Sequence, residues 1–122
     1  MNDELYRQNI LDHYKHPHHF GVLDAYSVSA RKINQYCGDE LTVYLCTDGQ
    51  VITDATFNSR GCAISVAGAS MLADMLIGMK LTDAKDLTET DIYNMFGVTI
   101  GPARAKCALL AYGALQDALR TV

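Results

Sequence analysis

Three cysteines and one aspartate, Cys37, Asp39, Cys62 and Cys107, are the side chains of this sequence best suited to chemistry. Three thiolates and a carboxylate are enough for a tetrahedral Zn²⁺ site, with bonds of roughly 2.0–2.3 Å. The same set could hold a [2Fe–2S] cluster, which takes four protein ligands. Oxygen is a harder donor than sulfur and matches soft metal centres less well. An aspartate in the fourth place therefore makes a site easier to open than four cysteines would. Easy opening suits transfer rather than permanent structural binding. Spacing alone leaves a second reading open. No CxxC pair is present, the four residues are scattered, and free cysteines also serve as small buried hydrophobes.

The elements around these residues set where they can act. Asp3 to Lys15 reads as a helix, with Tyr6, Ile10, Leu11 and Tyr14 on one face, Asp3 as its cap and Pro17 as its stop. Three stretches of period two follow, as in half-buried strands. In the first, Tyr26, Val28 and Ala30 share a face. In the second, Leu41, Val43 and Leu45 do, and in the third Val51, Thr53, Ala55 and Phe57. Asp48-Gly49 between the last two is a hairpin signal, because glycine accepts positive φ. Ser65 to Ile77 reads as an Ala- and Met-rich helix stopped by Gly78. Thr82 and Thr88 are candidate caps of two short helices, the second ending at Gly97. Pro102 suits the first turn of a last helix reaching about Leu119. Strands early and helices late predict an α+β domain, a three-stranded antiparallel sheet with helices packed on one face.

On this map Cys37 lies in the loop between the first two strands, where Gly38 lets its thiol and the Asp39 carboxylate converge. Cys62 follows Gly61 at the start of the Ala-rich helix, where the helix dipole favours a thiolate. Cys107 sits in the first turns of the last helix beside Lys106 and Arg104, cations that favour the same form.

The whole chain narrows the class. Its 122 residues suit a single domain, 1–122, large enough for a core without disulfide staples. With 49% hydrophobic residues it is not disordered. A net charge of −4 leaves no basic footprint for nucleic acid. No apolar run is long enough for a bilayer. The acidic, polar opening Met-Asn-Asp-Glu is unlike a secretory signal, so a cytoplasmic location is expected. There, cysteines serve metals or catalysis rather than disulfides.

Read together, the surrounding residues resemble a known family. Leu5-Tyr6, Ile10-Leu11-Asp12-His13-Tyr14, Pro17 and Gly21 are similar to the opening of the iron–sulfur cluster assembly scaffold family, that of IscU, SufU and the N-terminal domain of NifU. Asn34 with Cys37-Gly38-Asp39 resembles its first ligand motif. Gly61-Cys62-Ala63-Ile64-Ser65, then Ala67, Ser70 and Met71, resembles its second. Pro102-Ala103-Arg104-Ala105-Lys106-Cys107-Ala108-Leu109 resembles its third. The resemblance implies an α+β fold, a site made of Cys37, Asp39, Cys62 and Cys107, and zinc or a transient [2Fe–2S] cluster bound there. It implies a cysteine desulfurase of the SufS or IscS kind as sulfur donor, and a downstream scaffold or apo-protein as recipient.

Two branches of the family fit in part. The Pro-Ala-Arg-x-Lys-Cys run resembles SufU, with Lys106 where IscU proteins carry a histidine. The short separation of Cys62 and Cys107 resembles IscU. The Leu-Pro-Pro-Val-Lys segment that IscU offers its chaperone is replaced by Val98-Thr99-Ile100-Gly101-Pro102. Gln35 replaces a usual proline, and His18-His19 replace a usual Arg-Asn. The SufU-like reading is a zinc-dependent sulfurtransferase with Cys37 as persulfide acceptor. The IscU-like reading is a non-enzymatic scaffold that builds and donates a cluster. A purely structural zinc module is a third reading, which the aspartate ligand argues against.

Arg104 is a candidate for pairing with Asp39 and gating the site, or else a solvated helix-start cation. Cys46 is expected as a packed or half-exposed thiol in mid-strand. His13, His16, His18 and His19 could suggest a metal tract, but they straddle a helix end and Pro17, so they are expected at the surface without a shared face, as contacts for a partner. Met71, Met75 and Met79 recur at helical spacing and are expected in the core.

Overall fold

The computed structural model describes residues 3–35 and 38–122. Helix α1 spans Asp3–Lys15, and strands β1 Val28–Asn34, β2 Asp39–Thr47 and β3 Ile52–Arg60 follow. Then come α2 Ala63–Leu76, α3 Leu81–Lys85, α4 Glu89–Phe96, α5 Pro102–Ala108 and α6 Leu110–Leu119. The strands form one antiparallel sheet in the order β1-β2-β3. This is the α+β arrangement expected of the sequence.

Alternation in β2 works as predicted. Leu41, Val43 and Leu45 are buried, with Asp39 on the same face and Thr42 and Tyr44 half-buried on the other. The first strand starts later than its pattern suggests, at Val28, and leaves Tyr26 exposed ahead of it. The third departs from strict alternation. Its register shifts opposite Cys46 and Thr47, which pair with Asp54 and Ile52. Thr53 is the extra residue of this bulge and points outward, while Ile52 takes the core place expected of its neighbours. The Asp48 carboxylate accepts from the backbone N–H of Gln50 and Val51, holding the β2–β3 turn. Those two bonds hold the carboxyl of Asp48 below its usual pKa.

Helix α2 is buried on nearly every side from Ile64 to Ala73, as expected of a helix apolar all round. It lies against β3, α1 and α6. Met71 is buried and Met75 and Met79 pack on the core. Helix α6 covers β1 and β2. A leucine or phenylalanine taken fully into such a core stabilises by about 1.5–3 kcal/mol. Phe57 and Leu72, both almost wholly enclosed, are in that class.

Several helix ends differ from expectation. The buried face of α1 runs through Ile10 and His13, whereas Leu11 and Tyr14 are exposed. The capping role expected of Asp3 falls on a side chain outside the described residues. Thr82 lies inside α3, and Lys80 occupies the cap position. The expected last helix is two helices, because Leu109 turns to φ −95° and ψ 0° between α5 and α6.

Thr88 caps α4 as expected. Its hydroxyl accepts from Asp91 N, and the Asp91 carboxylate accepts from Thr88 N. Replacing Thr88 by alanine should lower stability by about 1 kcal/mol, measurable as a shift in the denaturant midpoint at constant slope.

Candidate metal centre

The end of the β1–β2 hairpin positions the first group. Asn34 and Asp39 are register partners across this turn, and Gly38, at φ +72°, returns its N–H to Asn34 O at 2.9 Å. Asp39 is therefore the first residue of β2 rather than part of a free loop. Its carboxylate is turned to the core side and is 4% exposed. Cys37 lies outside the described residues.

The second group comes from the β3–α2 junction. Cys62 is the N-cap residue of α2, in extended conformation, and is exposed. Gly61 before it has a specific role. A Cβ there would lie 2.6 Å from Asp39 Cγ, so only glycine lets the strand end pass the buried carboxylate. The third group, Cys107, sits on α5 and is buried. One ligand atom from each of Asp39, Cys62 and Cys107 lies within 4.8 Å of the other two. Four-coordinate zinc places its donors roughly 3.3–3.8 Å apart, given bonds of 2.0–2.3 Å, so small side-chain rotations close the cluster. Cys62 and Cys107 are not joined in a disulfide.

Ser65 joins the three elements; the sequence places it in the second motif but assigns it no role. It is buried on the first turns of α2, and its hydroxyl donates to Asp39 Oδ2 at 2.6 Å. The same oxygen lies 3.5 Å from Cys62 Sγ and 3.4 Å from the Cys107 carbonyl. The signal was a lone hydroxyl three residues after Cys62 in an otherwise apolar helix start. This bond fixes the carboxylate orientation in the way outer partners orient metal ligands.

Arg104 is exposed on α5 and lines a concave surface with Arg7, Ala63, Ile64 and Gly101. Among the described residues no ion pair joins it to Asp39. Lys106 is exposed and faces a second hollow with Lys32, Asn34 and Gln35. Cys46 stands apart from the cluster, its thiol donating to Ala25 O at 3.1 Å.

The histidines are not all at the surface. His13 is buried, with Nδ1 2.7 Å from Ser70 Oγ. Burial, with His18 alongside, pushes the His13 pKa below its ordinary value. His18 and His19 are exposed, and both reach Asp74 on α2. Folding back of the chain after Pro17 brings His13, His18 and His19 together beside Asp74.

A turn, a strand end and helix α5 thus bring a carboxylate and two thiols to one point of an α+β domain, a candidate metal site. Residues 5–121 match the family model of the NifU-like N-terminal domain, and the chain belongs to that family. It is 38% identical to the zinc-dependent sulfurtransferase SufU of Bacillus subtilis (strain 168), over 93% of this chain and 88% of that one. It is 33% identical to the iron–sulfur cluster assembly scaffold protein IscU of Streptococcus pyogenes serotype M1, over 97% and 84%. A solved structure described as a SufU scaffold protein for the SUF system, from Fervidobacterium islandicum AW-1, superposes with a TM-score of 0.77. Its identity is 29%, and the match covers 98% of this chain and 99% of that one.

Proposed function

We propose that this protein serves iron–sulfur cluster assembly by accepting persulfide sulfur from a cysteine desulfurase at Cys37. Cys37, Asp39, Cys62 and Cys107 would together hold zinc. The observation that carries this reading is the convergence of Asp39, Cys62 and Cys107 around Ser65. The donor set suits zinc, since two thiols and a carboxylate are already gathered and a third thiol stands two residues before Asp39. Zinc, when bound, acts as a Lewis acid that keeps the coordinated thiols in their thiolate form.

The chain's own groups then have distinct tasks. The Cys37 thiolate attacks the terminal sulfur of the desulfurase persulfide. A new S–S bond forms on Cys37, the old one breaks, and the desulfurase cysteine leaves as thiolate. Asp39 would be the weaker, harder donor of the four, and so the one most easily released. Ser65 and Gly61 keep that carboxylate oriented until then. Arg104, exposed beside the site, is proposed to draw the released Asp39 carboxylate outward and so gate it. The partners are a cysteine desulfurase of the SufS or IscS kind and a downstream scaffold or apo-protein. No described helix is long and apolar enough to cross a membrane. The single domain, 1–122, is proposed to work in the cytoplasm.

The similarity to the Bacillus SufU supports this branch. A second reading, an IscU-like scaffold that assembles a transient [2Fe–2S] cluster on the same four residues, is supported by the similarity to the Streptococcus IscU. The SufU alignment runs over 133 positions, more than the 122 residues of this chain, so that relative carries residues this chain lacks.

Peptide mass spectrometry tests the acceptor role. After incubation with a desulfurase and cysteine, one added sulfur is expected on the peptide containing Cys37. An added sulfur confined to Cys62 or Cys107, or found on none of the three, would refute it.

A further inference from the structure

The second gathering of ligand-type side chains lies at the far end of α2. His13, at the end of α1, and His18, in the loop after it, meet Asp74 of α2, with one donor atom of each within 4.8 Å of the others. His18 Nδ1 is 2.7 Å from Asp74 Oδ2, and His19 Nε2 is 3.1 Å from Asp74 Oδ1. The His13 and His18 rings lie 4.5 Å apart, centre to centre. Asp74 stands twelve residues after Cys62 on the same helix, about 18 Å along its axis, so this cluster is separate from the thiol site.

Three features show that the cluster is held rather than accidental. Ser70 is fully buried, and its Oγ lies 2.7 Å from His13 Nδ1 while also accepting from the backbone N–H of His18 at 2.7 Å. One hydroxyl thus fixes two of the arms. In the tautomer whose Nδ1–H donates to Ser70, His13 Nε2 keeps its lone pair, as in imidazoles that ligate metals. His19 adopts φ +53°, the sole positive φ of a non-glycine among the described residues, and in that conformation its ring meets the Asp74 carboxylate.

We propose that His13, His18 and Asp74, with His19 as a fourth donor, form a second metal site, for a borderline divalent ion of the first transition row. Imidazole nitrogens with one carboxylate suit zinc, iron, nickel or copper, and offer no sulfur to a softer ion. Donors roughly 3.3 Å apart are needed, so the His18–Asp74 hydrogen bond opens to admit the ion. Occupation ties the end of α1 and its following loop to α2.

The test counts zinc by calorimetric titration of the full chain at neutral pH, and repeats the count on His18→Ala and Asp74→Asn. Both altered positions are exposed. Two equivalents are expected in the unaltered protein. In each variant the second should be lost or bound at least about tenfold more weakly, with the first unchanged. Cobalt separates the sites spectroscopically. One equivalent should show thiolate-to-metal charge transfer in the near ultraviolet, and the other only visible d–d bands. A single equivalent that both variants still bind unchanged, or a second equivalent that keeps its affinity in both variants, would overturn the proposal. Binding at the histidine cluster with none at the thiols would support it, while counting against the zinc reading of the thiol site alone.

Discussion

Replacing Gly61 by valine is expected to lower stability by about 1–3 kcal/mol and to weaken zinc binding at the thiol site by at least about tenfold. The cause is local. A Cβ at Gly61 would meet Asp39 at three atoms, the nearest at 2.6 Å. Asp39 cannot swing away freely, because it is buried and held by Ser65. Either the carboxylate leaves Ser65, losing a short buried hydrogen bond, or the β3–α2 junction moves and carries Cys62 with it. Arg60→Val is the control. It places the same bulk one residue earlier at an exposed position and should change stability by less than about 0.5 kcal/mol. Chemical denaturation and zinc titration of both variants check the pair. Equal behaviour of the two would mean that the glycine is not there for Asp39.

Cys37→Ala is expected to return the partner desulfurase to its unstimulated rate. In the proposed reaction Cys37 is the attacking atom, and no neighbouring group can take its place without leaving the positions set by β2, α2 and α5. Cys46→Ala provides the comparison. Its thiol bonds to Ala25 O, apart from the cluster, so stimulation should be retained, with a stability cost of only about 0.5–1.5 kcal/mol. Desulfurase turnover, followed as alanine released from cysteine, reads both. Full stimulation by Cys37→Ala would remove the acceptor role.

Much of this architecture could be read in the sequence, because binary patterns carry it. Alternation in Leu41, Val43 and Leu45 and the Ala- and Met-rich run after Cys62 mark a strand and a buried helix on physical grounds alone. What escaped were features set by tertiary contact. The bulge at Thr53 depends on how β3 meets β2, and the break at Leu109 on how α5 packs on α2 while α6 covers β1 and β2. The site divides in the same way. Cysteine and aspartate types suggested a metal, and motif order made the suggestion specific. The hydroxyl of Ser65 and the missing Cβ of Gly61 matter only once three elements converge. The histidines show the converse. Spacing across Pro17 argued against a shared face, yet the chain folds back and Asp74, far along the sequence, supplies the point at which they meet.

The measurement that bears most directly on the proposed function is a desulfurase assay with zinc-loaded and metal-free protein in parallel, alongside reconstitution with iron and sulfide. The account predicts stimulation by the zinc-loaded form, little by the metal-free form, and no stable cluster. Equal stimulation without zinc, or a stable [2Fe–2S] cluster that passes intact to an apo-protein while the desulfurase stays unstimulated, would contradict it.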